Sequence, residues 1–217
     1  MAHSCIISPI ALEIDTPHGP ARAHLHQAPS SPRGALVLGH GAGGGVTAPD
    51  LVSATGAANE SGLSVALVEQ PYRVAGRRSV APTRQLDAAW IAVVAGLVAG
   101  PLAGLPLVTG GRSSGARVAC RTAAETGASG VLCLAFPLQP PSRKPTAERK
   151  SRQPELDAVE LPTLVVQGAS DPFGLPAAGP RREVVTVPGN HSLRAHQDQI
   201  GAAIRAWLAD LELVPAR

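Results

Sequence analysis

Aromatic residues are nearly missing from this 217-residue chain: Phe, Trp and Tyr together make up 2% of it. Hydrophobic residues still reach 44%, so the core has to be built from Ala, Val, Leu and Ile, whose small side chains demand close backbone packing. The same shortage removes the stacking platforms on which single-stranded nucleic-acid binding relies. A net charge of +3 and an isoelectric point near 9.1 come from local arginine clusters with no base-reading motif, so no nucleic-acid partner is expected. Cysteine is sparse too. Cys5, Cys120 and Cys133 form no CxxC and leave an odd count, which argues against a disulfide framework or a zinc site and suits a reducing, cytoplasmic setting. No metal and no cofactor is expected.

Charge is also thin, at 16%, and residues 88–108 carry none. That run has the length of a bilayer span, but Gly100-Pro101, Gly104 and Pro106 cut it into a helix ending near Ala99, a turn and a buried strand. The opening MAHSCIISPI has no cationic segment followed by a long apolar one, which argues against a secretory signal. Neither a membrane nor secretion is expected.

Apolar runs predict strands at 6–14, 21–27, 35–38, 63–68, 105–108, 130–136, 163–166 and 183–187. Helical patterns lie at 47–60, 84–99, 114–125 and 195–211, with Thr47 and Thr83 as start residues. Uninterrupted rather than alternating apolar strands, separated by helices, predict an α/β fold: a mostly parallel sheet covered by helices on both faces. One domain over 1–217 is the simplest count for this length. In such sheets functional loops leave the carboxyl ends of the strands.

Between the fifth strand and the third helix lies TGGRSSGARVA. Gly111-Arg112-Ser113-Ser114-Gly115 satisfies G-x-S-x-G in one register only, so Ser113 is the candidate nucleophile on a sharp strand-to-helix turn. A serine hydroxyl needs a base to take its proton and a third group to orient that base. Gln167-Gly168-Ala169-Ser170-Asp171 places Asp171 just past one strand, and Pro188-Gly189-Asn190-His191 places His191 just past the next. His40-Gly41-Ala42-Gly43-Gly44-Gly45 follows the third strand. Its backbone can turn N–H groups toward a developing oxyanion, with Ser114 and Ala42 as donors and Gly43 as the alternative. The loop lacks the Lys-Ser/Thr ending of a Walker motif, so nucleotide is not expected there.

These residues resemble the α/β-hydrolase family, from the strand before His40 to the last helix. Within it, GRSSGAR, QGASDPFG and PGNHSL are similar to small, cap-poor hydrolases akin to dienelactone hydrolases, including the testis-expressed protein 30-like group. The resemblance implies an α/β-hydrolase sheet with Ser113 as nucleophile, Asp171 as orienting acid and His191 as base. Dienelactone hydrolases themselves use cysteine as nucleophile, and the serine here argues against dienelactone as substrate.

About two dozen Pro-rich and charged residues, 137–161, separate two strands at the place where many relatives insert a lid, and their composition predicts no sizeable lid domain. An open site suits small esters. Arg143, Lys144, Arg149, Lys150 and Arg152 outnumber Glu148 in that loop, while Arg73, Arg77 and Arg78 follow an earlier strand and Arg112 adjoins the nucleophile. They form either a basic rim for an anionic substrate or solvated loop charges. Tyr72, Phe136 and Phe173 sit at strand ends, as pocket walls or as packing beneath loops; Trp90 and Trp207 are assigned to helix–sheet packing. The expected activity is hydrolysis of a small carboxylic ester or thioester through an acyl-enzyme, falling at acid pH as His191 protonates. The competing expectation is a non-catalytic interaction module that docks a partner on its basic loop surface.

Overall fold

Strands β3 (Gly34–Gly39), β5 (Leu107–Arg112), β6 (Gly130–Leu134) and β7 (Thr163–Gly168) are buried along almost their whole length, as strands covered on both faces must be, and apart from β5 they carry continuous apolar runs. The computed structural model, which describes residues 9–140 and 150–213, adds β1 (Ile10–Ile14), β2 (Ala21–His26), β4 (Leu63–Glu69) and β8 (Arg182–Val187). The eight strands form one sheet in the order β1-β2-β4-β3-β5-β6-β7-β8. The β1/β2 and β2/β4 pairs are antiparallel and all the others parallel.

Alternate strand residues go to opposite faces. Leu36 and Leu38 of β3, with Leu132, Leu134, Leu164 and Val166, join Leu51 of helix α1 (Pro49–Glu60) and Ile200, Ile204 and Trp207 of α6 (Gln197–Asp210). On the other face Ala35 and Val37 meet Trp90, Val93 and Leu97 of α3 (Thr83–Ala99). Val131, Cys133 and Val165 meet α4 (Ser114–Arg121) through Ala116 and Ala119. Both tryptophans thus pack helices on the sheet, and the buried Cys120 and Cys133 thiols form no disulfide but share a hydrogen bond at 3.5 Å.

All eight expected strands are present, but several boundaries differ. Strand β5 runs to Arg112 instead of stopping at Val108, and β6 ends before Phe136, where Ala135 takes φ 48. Ala48 and Pro82, not Thr47 and Thr83, precede α1 and α3, and neither helix has a side-chain cap. Two short helices that begin with proline in the first turn were not expected: α2 (Pro71–Val74) and α5 (Gln153–Asp157). The latter is anchored by buried Leu156. It is the only helix among the described residues of the connection between β6 and β7, which therefore carries no lid domain there. Helix α3 ends at Ala99, and among the described residues no helix is long and apolar enough to cross a membrane.

Candidate active site

Ser113 occupies the single residue between β5 and α4 with φ 52 and ψ −108, a conformation that costs a non-glycine residue about 1–3 kcal/mol. The glycines around it explain how the chain gets there. A Cβ at Gly111 would stand 2.6 Å from the Gly39 carbonyl oxygen, and one at Gly115 would run into that same carbonyl. A Cβ at Gly110 would strike the Leu132 carbonyl. The end of β3, the end of β5 and the first turn of α4 can pack this closely only because those positions have no side chain. The Ser113 N–H donates to the Leu134 carbonyl at 2.9 Å, which pins the turn to β6.

A second close approach brings the other two candidates into line. At the end of β7 a Cβ on Gly168 would lie 2.5 Å from the Asn190 carbonyl oxygen, so the loop after β8 folds over the loop after β7. Asp171 has a fully buried carboxylate. Its Oδ1 accepts from the Phe173 N–H at 2.8 Å, and its Oδ2 accepts from Gln167 Nε2 at 2.8 Å. His191 Nδ1 also lies 2.8 Å from Oδ2, and His191 Nε2 lies 3.0 Å from Ser113 Oγ. A carboxylate only accepts, so the imidazole carries its proton on Nδ1 and turns the Nε2 lone pair to the hydroxyl. Phe173 packs edge-on against the imidazole, ring centres 4.5 Å apart. Three residues separated in the chain thus form one continuous hydrogen-bonded line, in which His191 can take the Ser113 proton.

The loop after β3 is held from behind. His40 Nδ1 donates to the Gly41 carbonyl at 2.8 Å, its Nε2 accepts from the Gln70 N–H at 3.2 Å, and Tyr72 Oη donates to the Ala42 carbonyl at 3.1 Å. Burial, the largest influence, pushes the His40 pKa down, which keeps the imidazole neutral for this donor-and-acceptor role. In a trans peptide the N–H points opposite the carbonyl, so the Ala42 and Gly43 N–H groups face away from His40 and Tyr72. Neither has an acceptor among the described residues, nor does the Ser114 N–H at the start of α4. All three border the same cleft of about 780 Å³ as Ser113, Phe173 and His191.

Two expected pocket walls are elsewhere. Tyr72 is buried behind the loop after β3, and Phe136 lies fully buried in the core beside Leu156 and Val165. Neither lines the cleft. Of the expected basic rim, Arg112 and Arg152 line it, while Arg77 borders a separate small pocket beside Tyr72. Arg143, Lys144, Glu148 and Arg149 lie outside the described residues. The sequence reading missed Arg117 and Arg194, which also line the cleft; Arg194 could have been found by its place just past His191.

Arg112 is tied into the scaffold. Its Nη2 donates to the His191 carbonyl at 2.9 Å, and its Nε lies 2.9 Å from Oδ2 of Asp50, too poorly aligned for a hydrogen bond but within ion-pair distance. Burial pushes the Asp50 carboxyl up to about 6 against the pull of Arg112. A carboxyl whose pKa is raised on folding stabilises the native state most below its unfolded value, and that contribution is lost as pH rises through the folded value. From 3.8 to about 6 this is on the order of 3 kcal/mol. Asp50→Asn should therefore gain thermal stability relative to the parent protein between pH 4 and pH 7.5. A difference in melting temperature that stays constant across that range would contradict this reading of Asp50.

The fold is similar to that of a serine hydrolase without a lid from Xanthomonas campestris, with a TM-score of 0.72 at 19% identity over 96% of this chain and 97% of that one. It is similar as well to Est1E from Butyrivibrio proteoclasticus, with a TM-score of 0.74 at 16% identity over 92% and 98%. A dienelactone hydrolase from Anabaena variabilis gives 0.72 at 15% identity over 94% and 97%. No curated protein sequence matches the chain. A family model described as an alpha/beta hydrolase domain matches residues 32–198, well over half of the sequence. On that match, and with the sheet order and strand-to-helix turn described above, the chain belongs to the α/β-hydrolase family.

Proposed function

We propose that this chain is a serine hydrolase that cleaves small carboxylic esters or thioesters through an acyl-enzyme. The observation that carries the reading is the hydrogen-bonded line from Asp171 through His191 to Ser113, set beside backbone N–H groups that have no other acceptor. His191 takes the Ser113 proton as Oγ attacks the substrate carbonyl, and the Ala42 and Ser114 N–H groups, with Gly43 beside them, receive the oxyanion. The protonated imidazole then gives its proton to the leaving alcohol or thiol. Water, deprotonated by His191, attacks the acyl-enzyme and releases the acid and free Ser113. Fixed donors of this kind contribute about a hundredfold to a thousandfold each. A docking module has no use for a strained serine aligned on a base.

Two features narrow the substrate. The cleft is not roofed by a described lid element, which favours short acyl groups, and Est1E is seen with ferulic acid bound, a small carboxylic acid of the kind that ester cleavage releases. Four arginines and no described carboxylate line the cleft. Arg117 is matched by Glu155 and Arg112 by Asp50, whereas Arg152 and Arg194 form no direct ion pair with a carboxylate among the described residues. Arg152 donates to the Pro137 carbonyl at 3.0 Å; burial first, and then Arg117, lower its pKa against the opposing pull of Glu155. This supports a substrate that carries a negative charge.

A panel of short esters and thioesters, neutral and carboxylate-bearing, tests both parts. Turnover should be faster for the charged members. The ratio of kcat/KM for charged over neutral esters should drop about tenfold or more when Arg152 and Arg194 are both changed to Gln, since hydrogen bonds to charged groups are worth about 1.5–3 kcal/mol. An unchanged ratio would remove the anionic preference, and no turnover of any member would remove the hydrolase reading.

A further inference from the structure

The residue between the glycine and the serine of G-x-S-x-G is Arg112, and its guanidinium meets three other segments of the site. Its Nε faces Asp50 in the first turn of α1, and its Nη2 donates to the backbone carbonyl of His191, the base itself. Its Nη1 lies where a Cβ on Gly41, at the start of the oxyanion loop, would come within 2.9 Å. We infer that Arg112, seated by Asp50, is a positioning residue that fixes the backbone of His191 at the height where its Nε2 meets Ser113 Oγ. The inference rests on the hydrolase reading above.

The loop after β8 shows why such a clamp is needed. Its backbone is tied toward β7 by the Ser170 N–H and Oγ, which donate to the Gly189 carbonyl at 2.9 and 2.8 Å. Toward β5, Arg112 is its one backbone tie among the described residues. Without it, the imidazole would be located on that side only by its own contact with Ser113. Misplacing a reacting group by about 1 Å costs about a hundredfold in rate.

Asp50 has a matching role. A bare guanidinium next to His191 would oppose the imidazolium that forms as Ser113 attacks, and a buried carboxylate within 2.9 Å of it offsets that charge. The arrangement also needs a fork. A lysine could pair with Asp50 but, with a single ammonium, could not reach the His191 carbonyl from the same position.

The test compares Arg112→Lys, the double variant Asp50→Asn with Arg112→Gln, Ser113→Ala and the parent protein. It measures ester hydrolysis, the rate at which a fluorophosphonate labels Ser113, and thermal unfolding. Arg112→Lys should lower kcat and the labelling rate in parallel, about 10- to 100-fold, with KM changed less than about twofold. The double variant leaves no unpaired buried charge, so it keeps the question answerable if the lysine variant does not fold; it should show the same split. A rise in KM with kcat intact would make Arg112 a substrate contact and overturn the clamp, as would labelling and kcat at parent rates. Failure of the parent protein to label at all would overturn the hydrolase reading first and the clamp with it.

Discussion

Changing Ser113 to Ala should lower kcat for any ester this protein cleaves by about 10⁵- to 10⁶-fold while leaving substrate binding in place. The size follows from the loss of the atom that forms the covalent bond in the proposed mechanism. His191 would then face an empty position, and an activated water would have to approach from a site built for Oγ. What survives is the stabilisation by the Ala42 and Ser114 N–H groups, which elsewhere leaves a residual of about 10³- to 10⁴-fold over water. Folding should be nearly untouched, because alanine at φ 52 carries the same backbone strain as serine. The check is ester turnover and fluorophosphonate labelling on the two proteins, with melting temperatures alongside. Equal turnover would remove Ser113 from the chemistry.

How much of this was legible in the sequence varied with the kind of constraint. The strands could be read because burial on both faces demands unbroken apolar runs. Asp171 and His191 became candidates because each stands just past the end of such a run, and Ser113 because G-x-S-x-G admits one register only. The end of β5 was hidden: Gly110 and Gly111 look like turn formers, yet they are strand residues, glycine because neighbouring backbone fills the space of a Cβ. Only the assembled sheet reveals that. Helices α2 and α5 are too short to show a period, and each carries its proline, Pro71 or Pro154, in the first turn, a favoured way to start a helix. The strand-end positions of Tyr72 and Phe136 fit pocket walls or packing beneath loops, and only the assembled fold shows both rings in buried packing. Asp50 stands in the first turn of α1, where an acidic residue suits any helix. Its partner Arg112 lies far along the chain, and no local spacing announces an ion pair between α1 and the end of β5.

Asp171→Asn should lower kcat by about 10²- to 10³-fold, and the polar groups around Asp171 say which part of its role is lost. Two donors converge on Oδ2, Gln167 Nε2 and His191 Nδ1, while the Phe173 N–H alone faces Oδ1. An asparagine has one oxygen to offer. Placing it at Oδ2 satisfies Gln167 and His191 and sets its NH₂ against the Phe173 N–H. Turning it over sets the NH₂ against Gln167 and His191 instead, and forces the imidazole proton onto Nε2, where it blocks proton abstraction from Ser113. The first orientation sacrifices one hydrogen bond and the second sacrifices two, so the side-chain oxygen should stay at Oδ2 and His191 should keep its tautomer. The remaining loss is then electrostatic, because no carboxylate opposes the imidazolium that forms in the transition state. Adding Gln167→Met removes one of the two donors that select this orientation, so the double variant should fall further than Asp171→Asn alone. Measured kcat values for both variants, with the fluorophosphonate labelling rate as a substrate-independent control, check the order. Retention of activity within about tenfold in Asp171→Asn would mean that something other than this carboxylate orients His191.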